Sequence, residues 1–426
     1  MEKKKKSFSL KGDKVIWMIF LLLCVISIIE VFSASSILSY RTGDYLSPVI
    51  KHAGLLALGV IMAFFTMGVP CKYFQAGSLI LYFLSLILLV STFFFASETN
   101  GANRWIPIFG INFQPSEMAK GSLVLVVANL LSMRFKQEFF KYKAFKYILL
   151  FSTPIVLLIL FENFSTAALL ALVIFLMMII GKIPAQQILK LVAFGVALVA
   201  MFLGLLFIVP EEDAGKEMTD NVELVAEASL EEVQEKEDRG FMDKILHRVP
   251  TWRNRIMSFV DQDSLKVEDI DLDADAQWAH SNIAIASSKG IGKGPGNSTE
   301  RDFLPQAFSD FIYAIIVEEM GIVGAVLVCF LYIFLLFRTA TIANRCASTF
   351  PALLIMGLAL LIVVQAMFNM LVSVGAVPVT GQPLPLISKG GTSSIINCIY
   401  IGIIQSVSIS AKKKITEEKV VVQEAV

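Results

Sequence analysis

Apolar and polar residues follow one another along this chain in long blocks, and the apolar blocks determine the predicted architecture. A helix that crosses a bilayer needs about 20 mostly apolar residues. Ten stretches meet this requirement, near residues 15–34, 51–69, 74–97, 116–133, 146–162, 165–181, 188–209, 310–337, 352–376 and 391–410. The pattern predicts an all-α polytopic membrane protein with ten transmembrane helices.

The distribution of Lys and Arg then predicts the orientation of these helices, because short basic loops stay on the cytoplasmic side. The basic segments all fall on one side of the ten predicted spans, and they are Lys3–Lys14, 133–146, Lys182 with Lys190, Arg338 with Arg345, and Lys412–Lys414. Both termini are therefore expected in the cytoplasm, as a basic N-terminus (1–14) and a tail (411–426). The outer side carries residues 35–50, 98–115, 162–164, 210–309 and 377–390.

The long extracytoplasmic loop 210–309 lies between the seventh and eighth predicted spans. Its part 211–240 is strongly acidic and nearly free of aromatic residues, which is typical of a mobile segment or a solvated helix. The following stretch 241–260 mixes bulky apolar residues with four basic ones, Arg255 among them, and predicts a helix lying on the membrane surface. No composition shift marks a second folded domain, so residues 1–426 are expected to form one transmembrane domain.

The overall composition agrees with a membrane protein and excludes several other classes. With 56% hydrophobic and 17% charged residues, the chain is too apolar for a soluble globular protein of this length. None of the five cysteines lies in the long acidic loop, so no disulfide framework is indicated. The first apolar stretch is too long for a signal-peptide core, and we interpret it as a retained first span with a basic anchor. Nothing in the sequence suggests a nucleic-acid partner.

A first cluster of candidate functional residues occupies residues 100–121. Pro115 predicts the start of the fourth span, which places Lys120 about one turn inside the membrane, three residues after Glu117. Glu162 or Asn163 in the turn between the fifth and sixth spans is a further candidate partner. One interpretation is a structural Glu117–Lys120 ion pair with Trp105 at the membrane interface. The other is an anion site in which Arg104 and Lys120 meet phosphate oxygens.

A second cluster, residues 287–311, is rich in glycine and ends at Asp310, just before an apolar span. Glycines at 290, 292, 294 and 296 expose backbone N–H groups that suit an anionic ligand. The stretch GIGKGPGNS lacks the GK[ST] ending and the preceding strand of a nucleotide-binding loop. Glu318 and Glu319 are expected two turns below Asp310, with one of them in a polar contact inside the bundle.

The third cluster, residues 378–395, combines Pro and Gly with Thr392, Ser393 and Ser394 at the start of the last span. Irregular backbone at a membrane edge is tolerated where it is buried in protein or lines a wet cavity. A helix N-terminus with hydroxyls is also a seat for an anion, and a re-entrant turn that caps the helix is the alternative. His280 stands alone, without the spacing of a metal site, and is interpreted as structural.

Together these segments resemble the SEDS family of shape, elongation, division and sporulation proteins, which includes RodA and FtsW. The resemblance rests on the stretches GANRW, QPSEMAK, WRNRIMSFVDQD, GKGPGNS, FLPQAFSDFIYAIIVEEMGIVG and PVTGQPLPLISKGGTSS, in this order and spacing. The wording of the last two is closer to the division-type FtsW branch of Bacteroidetes-like bacteria than to the elongation-type RodA.

The resemblance implies a peptidoglycan glycosyltransferase that polymerises lipid II into β-1,4 glycan on the outer face of the bacterial cytoplasmic membrane. It further implies a class B penicillin-binding transpeptidase partner, other division proteins, and a location at the septum. Asp310 matches the family's essential aspartate. Trp105, Gln114, Ser116, Glu117 and Lys120 match the family's first outer motif. From their own chemistry we predict further substrate-binding residues, namely Arg104, Arg255, Lys389, Thr392, Ser393 and Ser394, with Glu162, Asn163 and Glu319 in support.

This chain departs from the family pattern at three places. Phe308 and Ser309 occupy the positions where the family commonly has His-Thr. Glu162 and Asn163 occupy a turn that usually contains Gln-Pro-Asp. Lys389 occupies a position where an aromatic residue is usual. The second departure leaves the partner of Lys120 open.

The implied chemistry assigns Asp310 as the base that takes the proton of the acceptor 4-hydroxyl. Arg104, Lys120, and Arg255 or Lys389 then stabilise the diphosphate leaving group. A divalent cation, Mg²⁺ or Mn²⁺, is suggested only by the charge of that leaving group. Two alternatives to the enzyme are a lipid flippase or transporter and a scaffold with an inactive site, although the polar clusters lie on one face and no inverted repeat is visible.

Overall fold

The computed structural model describes residues 11–34, 47–95, 97–99, 102–108, 111–208, 276–304 and 307–424. Within these ranges the helices are α1 (Lys14–Ala34), α2 (Ser47–Met67), α3 (Cys71–Phe95), α4 (Pro115–Lys136), α5 (Glu138–Glu162), α6 (Phe164–Ile180), α7 (Ala185–Ile208), α8 (Ala276–Ser287), α9 (Ile312–Ala343), α10 (Thr349–Ser373) and α11 (Thr392–Glu424). A short 3₁₀ helix covers Glu300–Asp302.

Apart from α8, the described helices lie on the predicted apolar stretches. Eight described helices are long and apolar enough to cross a membrane, namely α1 to α5 and α9 to α11, whereas α6 has only 17 residues. The helical membrane fold is thus confirmed, and the number of ten crossings stays a prediction.

The chain divides into two compact units, residues 1–183 with 271–426 and residues 184–270. In the second unit the structure describes residues 184–208, which are almost entirely the helix α7. Every contact discussed below lies within the first unit.

Helices α4, α10 and α11 form the interior of the first unit. In each of them 72% of the apolar window is buried, against 28% in α2, α3 and α5. Helix α4 is among the least apolar of the eight by mean hydropathy, because it carries Ser116, Glu117 and Lys120. Polar side chains in a span are stable when they face protein rather than lipid, and this explains why α4 lies at the centre.

The outer loop before α4 contains a small antiparallel sheet that the all-α prediction omitted. Strands β1 (Ser97–Thr99), β2 (Ala102–Ile108) and β3 (Ile111–Phe113) pair in the order β1-β2-β3. Glu98 pairs with Asn103, and Ile106 pairs with Phe113. The strands are three to seven residues long, too short for a clear alternating pattern.

Two predicted boundaries are confirmed. Helix α4 begins at Pro115, whose missing N–H costs nothing at a helix start. Helices α5 and α6 are separate, and Asn163 caps α6 by accepting hydrogen bonds from the Ser165 and Thr166 amides at 3.0 and 3.2 Å. Asn163 is thus the single residue between the end of α5 and the start of α6.

Helix α9 is broken at Gly321, which has φ 65° and ψ −163°. In a straight helix Tyr313 and Ala325 would be separated by about 18 Å along the axis, beyond the reach of a tyrosine side chain. The Tyr313 hydroxyl nevertheless donates to the Ala325 carbonyl at 3.2 Å. The segments 312–320 and 322–343 therefore run back along each other, joined by a turn at Gly321.

This turn corrects the expected position of Glu318 and Glu319 below Asp310. Glu319 accepts a hydrogen bond from Ser33 in the last turn of α1, the end that the basic-residue pattern assigns to the outer side. Segment 312–320 thus leads from Asp310 toward that end, and with this orientation Asp310 is expected deeper in the bundle than the two glutamates. The predicted span 310–337 is shifted for the same reason, since the straight segment is 322–343.

The glycine-rich loop packs against the turn and satisfies the backbone carbonyls that the break sets free. The amides of Lys293 and Gly294 donate to the carbonyls of Glu318 and Glu319 at 2.9 and 2.8 Å. A side chain at Gly292, where φ is +91°, would overlap the Glu319 carbonyl. The glycines at this turn therefore permit a close backbone approach.

Candidate functional site

Asp310 lies at the start of the short segment 312–320, and its side chain is half-buried. The Ser309 hydroxyl donates to Asp310 Oδ1 at 2.9 Å. The second oxygen, Oδ2, lies beside Gly381, where an added Cβ would come within 3.5 Å of it. The carboxylate therefore faces the outer loop between α10 and α11, residues 374–391.

Backbone contacts fasten this outer loop to the residues just before Asp310. The Lys389 amide donates to the Phe308 carbonyl at 3.0 Å. The Ser388 hydroxyl donates to the Ser309 carbonyl at 2.5 Å and accepts from the Leu384 amide at 2.7 Å. The predicted second and third clusters are thus brought together in the fold.

Asn369 in α10 ties both segments to a spanning helix. Its Nδ2 donates to the Asp310 carbonyl at 2.7 Å and to the Gln382 carbonyl at 2.7 Å. Gln382 in turn donates through Nε2 to the Thr166 hydroxyl of α6 at 2.6 Å. The backbone of the candidate acid is therefore held from the helix bundle as well as from the loop.

Lys120 belongs to the same network through a second amide of α10. Its Nζ donates to Glu117 Oε1 and to Gln365 Oε1, both at 2.8 Å. Gln365 Nε2 then donates to the Pro383 carbonyl at 3.0 Å. A continuous set of hydrogen bonds and one peptide linkage consequently connects Lys120 to the backbone of Asp310.

Lys120 is 0% exposed, and Glu117 is 2% exposed. In this arrangement a phosphate has no access to the ammonium group, so the geometry corresponds to the interpretation as an ion pair within the protein. The two candidate partners from the turn after α5 have other hydrogen-bond partners. Glu162 accepts from the Thr92 hydroxyl, and Asn163 caps α6.

The remaining residues of the first motif join the start of α4 to the start of α11. The Gln114 amide donates to Thr392 Oγ1 at 3.4 Å, and the Thr392 hydroxyl donates to the Asn112 carbonyl at 3.0 Å. Gln114 Nε2 donates to Ser116 Oγ at 3.1 Å. Trp105 is half-buried in β2, and Arg104 precedes it in the same strand.

The hydroxyls at the start of α11 are engaged within the protein. Besides the Thr392 contact, Ser393 Oγ donates to the Gly390 carbonyl at 2.8 Å, and Ser394 is buried. Both alternatives for this segment, the anion seat and the turn that caps the helix, therefore stay predictions.

The glycine-rich loop does bind anions, but they are carboxylates of the same chain. The amides of Gly296 and Ser298 donate to Glu319 at 2.9 and 3.3 Å, and the Thr299 amide donates to Glu318 Oε1 at 3.0 Å. Lys293 Nζ adds an ion pair with Glu318 at 2.6 Å. The expected external ligand is thereby replaced by Glu318 and Glu319, both of which are buried.

Lys389 is a half-buried cation beside the residues that precede Asp310. Its Nζ lies 4.7 Å from the centroid of the Phe308 ring. Burial lowers the pKa of the Lys389 ammonium group, and the positive charge of Lys51 lowers it further. Two ammonium groups in mutual repulsion provide a favourable place for an anion.

Two predicted features lie elsewhere. Arg255 and the surface helix 241–260 fall outside the described residues. His280 Nδ1 forms a hydrogen bond with Glu300 Oε2 at 2.8 Å, and the ring stacks on Phe303, which agrees with a structural role.

A divalent cation finds no evident donor set in the part of the chain that the structure describes. No group of three or more His, Cys, Asp and Glu side chains there is arranged to hold a metal.

Gln365, Asn369 and Gln382 were not among the predicted residues. Gln365 and Asn369 are four residues apart in a span that is otherwise strongly apolar, and this spacing places them on one helix face. A pair of amides in such a span is itself a signal of interior contacts.

Known proteins resemble this chain in sequence. A sequence model of the FtsW, RodA and SpoVE family, described as a cell cycle protein, matches residues 13–214 and 241–413. The chain is 28% identical over 397 residues to the peptidoglycan glycosyltransferase MrdB of Escherichia coli K12, covering 93% of both chains. It is also 28% identical to the probable peptidoglycan glycosyltransferase FtsW of Nitrosomonas europaea, covering 90% of this chain and 89% of the relative.

Solved structures share the fold. The rod shape determining protein RodA of Thermus thermophilus is similar with a TM-score of 0.60 and 20% identity, covering 94% of this chain and 97% of that chain. A chain from a structure described as "Structural coordination of polymerization and crosslinking by a peptidoglycan synthase complex" has a TM-score of 0.66 and 20% identity, covering 95% and 99%.

Proposed function

The chain belongs to the FtsW, RodA and SpoVE family of cell cycle proteins, and from this premise we propose that it is a peptidoglycan glycosyltransferase of the bacterial cytoplasmic membrane. Its substrate is lipid II, which it polymerises into β-1,4 glycan strands on the outer face. The observation that carries the proposal is the position of Asp310, whose half-buried carboxylate faces an outer loop fastened to it.

In the proposed reaction Asp310 acts as the general base. It accepts the proton of the acceptor 4-hydroxyl while that oxygen attacks the anomeric carbon of the donor sugar. The bond from that carbon to the diphosphate oxygen breaks, and the electron pair leaves with the diphosphate. Direct displacement inverts the α-linked donor carbon and gives a β linkage.

The leaving diphosphate needs positive charge near the outer face. Lys389 is the described cation best suited to this role, because it is half-buried, close to the Asp310 segment and repelled by Lys51. Arg104 and Arg255 are proposed to assist it. Lys120, which is fully buried, is proposed to act through Glu117 and Gln365 rather than by touching phosphate.

The partners proposed for the chain are a class B penicillin-binding transpeptidase and other division proteins. A structural relative comes from a peptidoglycan synthase complex, which supports a partner of this kind. We propose cytoplasmic termini and a septal location, and the elongation role is the alternative, since relatives named MrdB and FtsW are equally similar at 28%. Complementation of bacteria depleted of FtsW or of RodA distinguishes the two, through restored septa or restored rod shape.

The enzymatic proposal is tested by incubating the purified chain with lipid II in detergent, with and without its transpeptidase partner. Wild type is expected to form glycan polymer, whereas Asp310→Asn, which keeps the shape but loses the base, is expected to form none. Asp302→Asn, a change at an exposed aspartate, is the control and should remain active. Polymer formation by Asp310→Asn at the wild-type rate would remove Asp310 from the reaction, and an inactive wild type would favour the flippase.

A further inference from the structure

Two amide side chains on one face of α10 lie between the candidate base and the buried ion pair. Gln365 is 0% exposed and Asn369 is 1% exposed, although they belong to a strongly apolar helix. Burying an amide is unfavourable unless it is hydrogen-bonded. Each of these amides forms two hydrogen bonds, and all four contribute to the network described above.

The orientation of both amides follows from their partners. Both neighbours of Asn369 Nδ2 are carbonyl oxygens, which only an N–H group satisfies. Gln365 receives a hydrogen bond from an ammonium group, so its oxygen must face Lys120. Asn369 Oδ1 is left buried without a partner among the described residues. An unmatched acceptor of this kind is costly, so the contacts to the two carbonyls determine how the amide lies.

From this arrangement we propose that Gln365 and Asn369 are positioning residues for the glycosyl transfer, an inference that rests on the function proposed above. Asn369 holds the backbone of Asp310 and the adjacent loop residue Gln382 at one fixed separation. Gln365 holds the next loop residue, Pro383, against Lys120. The acid, the loop beside it and the ion pair are consequently aligned on a single helix face.

The loop has little means of holding this position by itself. Residues 374–391 contain no described helix or strand, and Pro383 and Pro385 have no backbone N–H to donate. Gly381, which lies beside the Asp310 carboxylate, has φ +64° and no side chain to anchor it. Besides the contacts of the loop to Phe308 and Ser309, side chains of α10 supply hydrogen bonds to its Gln382 and Pro383 carbonyls.

The test compares Asn369→Asp with Asn129→Ala in the full-length chain assayed on lipid II with its transpeptidase partner. Asn369→Asp keeps nearly the shape of the native side chain, but a carboxyl group has at most one O–H to donate and therefore cannot bind both carbonyls. Asn129 also forms two side-chain hydrogen bonds between helices, to Gln75 and Ser78, and is part of no contact near Asp310. Asn129→Ala thus controls for the loss of two such bonds.

A displacement of about 1 Å at reacting groups can lower a rate by about 100-fold. We expect Asn369→Asp to lower kcat by about this factor with KM little changed, while Asn129→Ala retains the wild-type kcat. The proposal is overturned if both variants have the same kcat, or if Asn369→Asp raises KM alone. Should Asn369→Asp fail to fold, Gln365→Met provides the same test, because it removes the link from the loop to Lys120. An inactive wild type would contradict the proposed function instead, and so the two failures are distinguishable.

Discussion

The buried ion pair between Glu117 and Lys120 permits a quantitative prediction. Charges 2.8 Å apart attract by about 6 kcal/mol at an effective dielectric constant of about 20. Removing each ion from water costs several kcal/mol, so the intact pair is close to neutral for stability. Replacing one partner leaves the other charge buried alone. We therefore expect Glu117→Gln and Lys120→Met each to lower the free energy of unfolding by about 3–5 kcal/mol.

The double variant Glu117→Gln/Lys120→Met separates stability from function. It removes both charges, and replacement of a whole buried pair is often neutral or stabilising. We expect its thermal unfolding in detergent to return close to that of wild type. Its polymerisation of lipid II, normalised to folded protein, should remain low because the proposed role of Lys120 requires the charge. Lys72→Met, at an exposed lysine of α3, is the control for charge removal alone.

Two results would refute this reasoning at different steps. If the single variants unfold like wild type, the argument about unpaired buried charge is wrong. If the double variant recovers both stability and activity, the ion pair is only structural, and Lys120 has no part in the reaction.

Three further predictions follow from individual contacts. A Cβ at Gly121 would come within 2.5 Å of the Tyr400 hydroxyl. Gly121→Ala should therefore destabilise the protein by about 1–3 kcal/mol, measured by thermal unfolding. Gly77→Ala is the control and should not destabilise it, because Gly77 has open space around it. Because its pKa is lowered, Lys389 loses its charge at a lower pH than an ordinary lysine. The KM for lipid II should therefore rise with pH on the alkaline side, as the proposed cation for the diphosphate is lost. Lys389→Arg should abolish that rise, because arginine stays charged. Glu318→Gln replaces the carboxylate that accepts hydrogen bonds from the glycine-rich loop with a weaker acceptor. Hydrogen exchange of the loop amides should therefore become faster. Unchanged exchange would contradict the assigned contacts.

The sequence was most informative where a pattern has a direct physical cause. Apolar length predicted the helices, and Pro115 predicted the start of α4. The break in α9 escaped prediction, because a single glycine inside an apolar run is compatible with a continuous helix. Gly321 has a positive φ in the folded chain, where the glycine-rich loop packs against the turn and hydrogen-bonds to its carbonyls. The local sequence does not show this contact.

The candidate site was predicted in part for a similar reason. The motifs identified Asp310 and the Glu117–Lys120 pair, and the affinity of the glycine-rich loop for anions was anticipated from its backbone. The sequence did not indicate that the anions bound by the glycine-rich loop are the carboxylates of Glu318 and Glu319 in the same chain. The contacts of α10 were likewise invisible, because they depend on carbonyl groups that every residue possesses.

The same hydrogen bonds account for both the stability of this site and its geometry. Irregular backbone within a membrane protein persists only where its N–H and C=O groups find partners. The loop 374–391 and the residues before α9 are irregular, and Asn369, Gln365 and Ser388 satisfy carbonyls in both segments. A substitution that removes the hydrogen-bond partner of one of these carbonyls should therefore have two effects. It should shift the position of Asp310, and it should leave a buried polar group unpaired. Activity in this chain should consequently respond to changes in α10 that never touch the substrate.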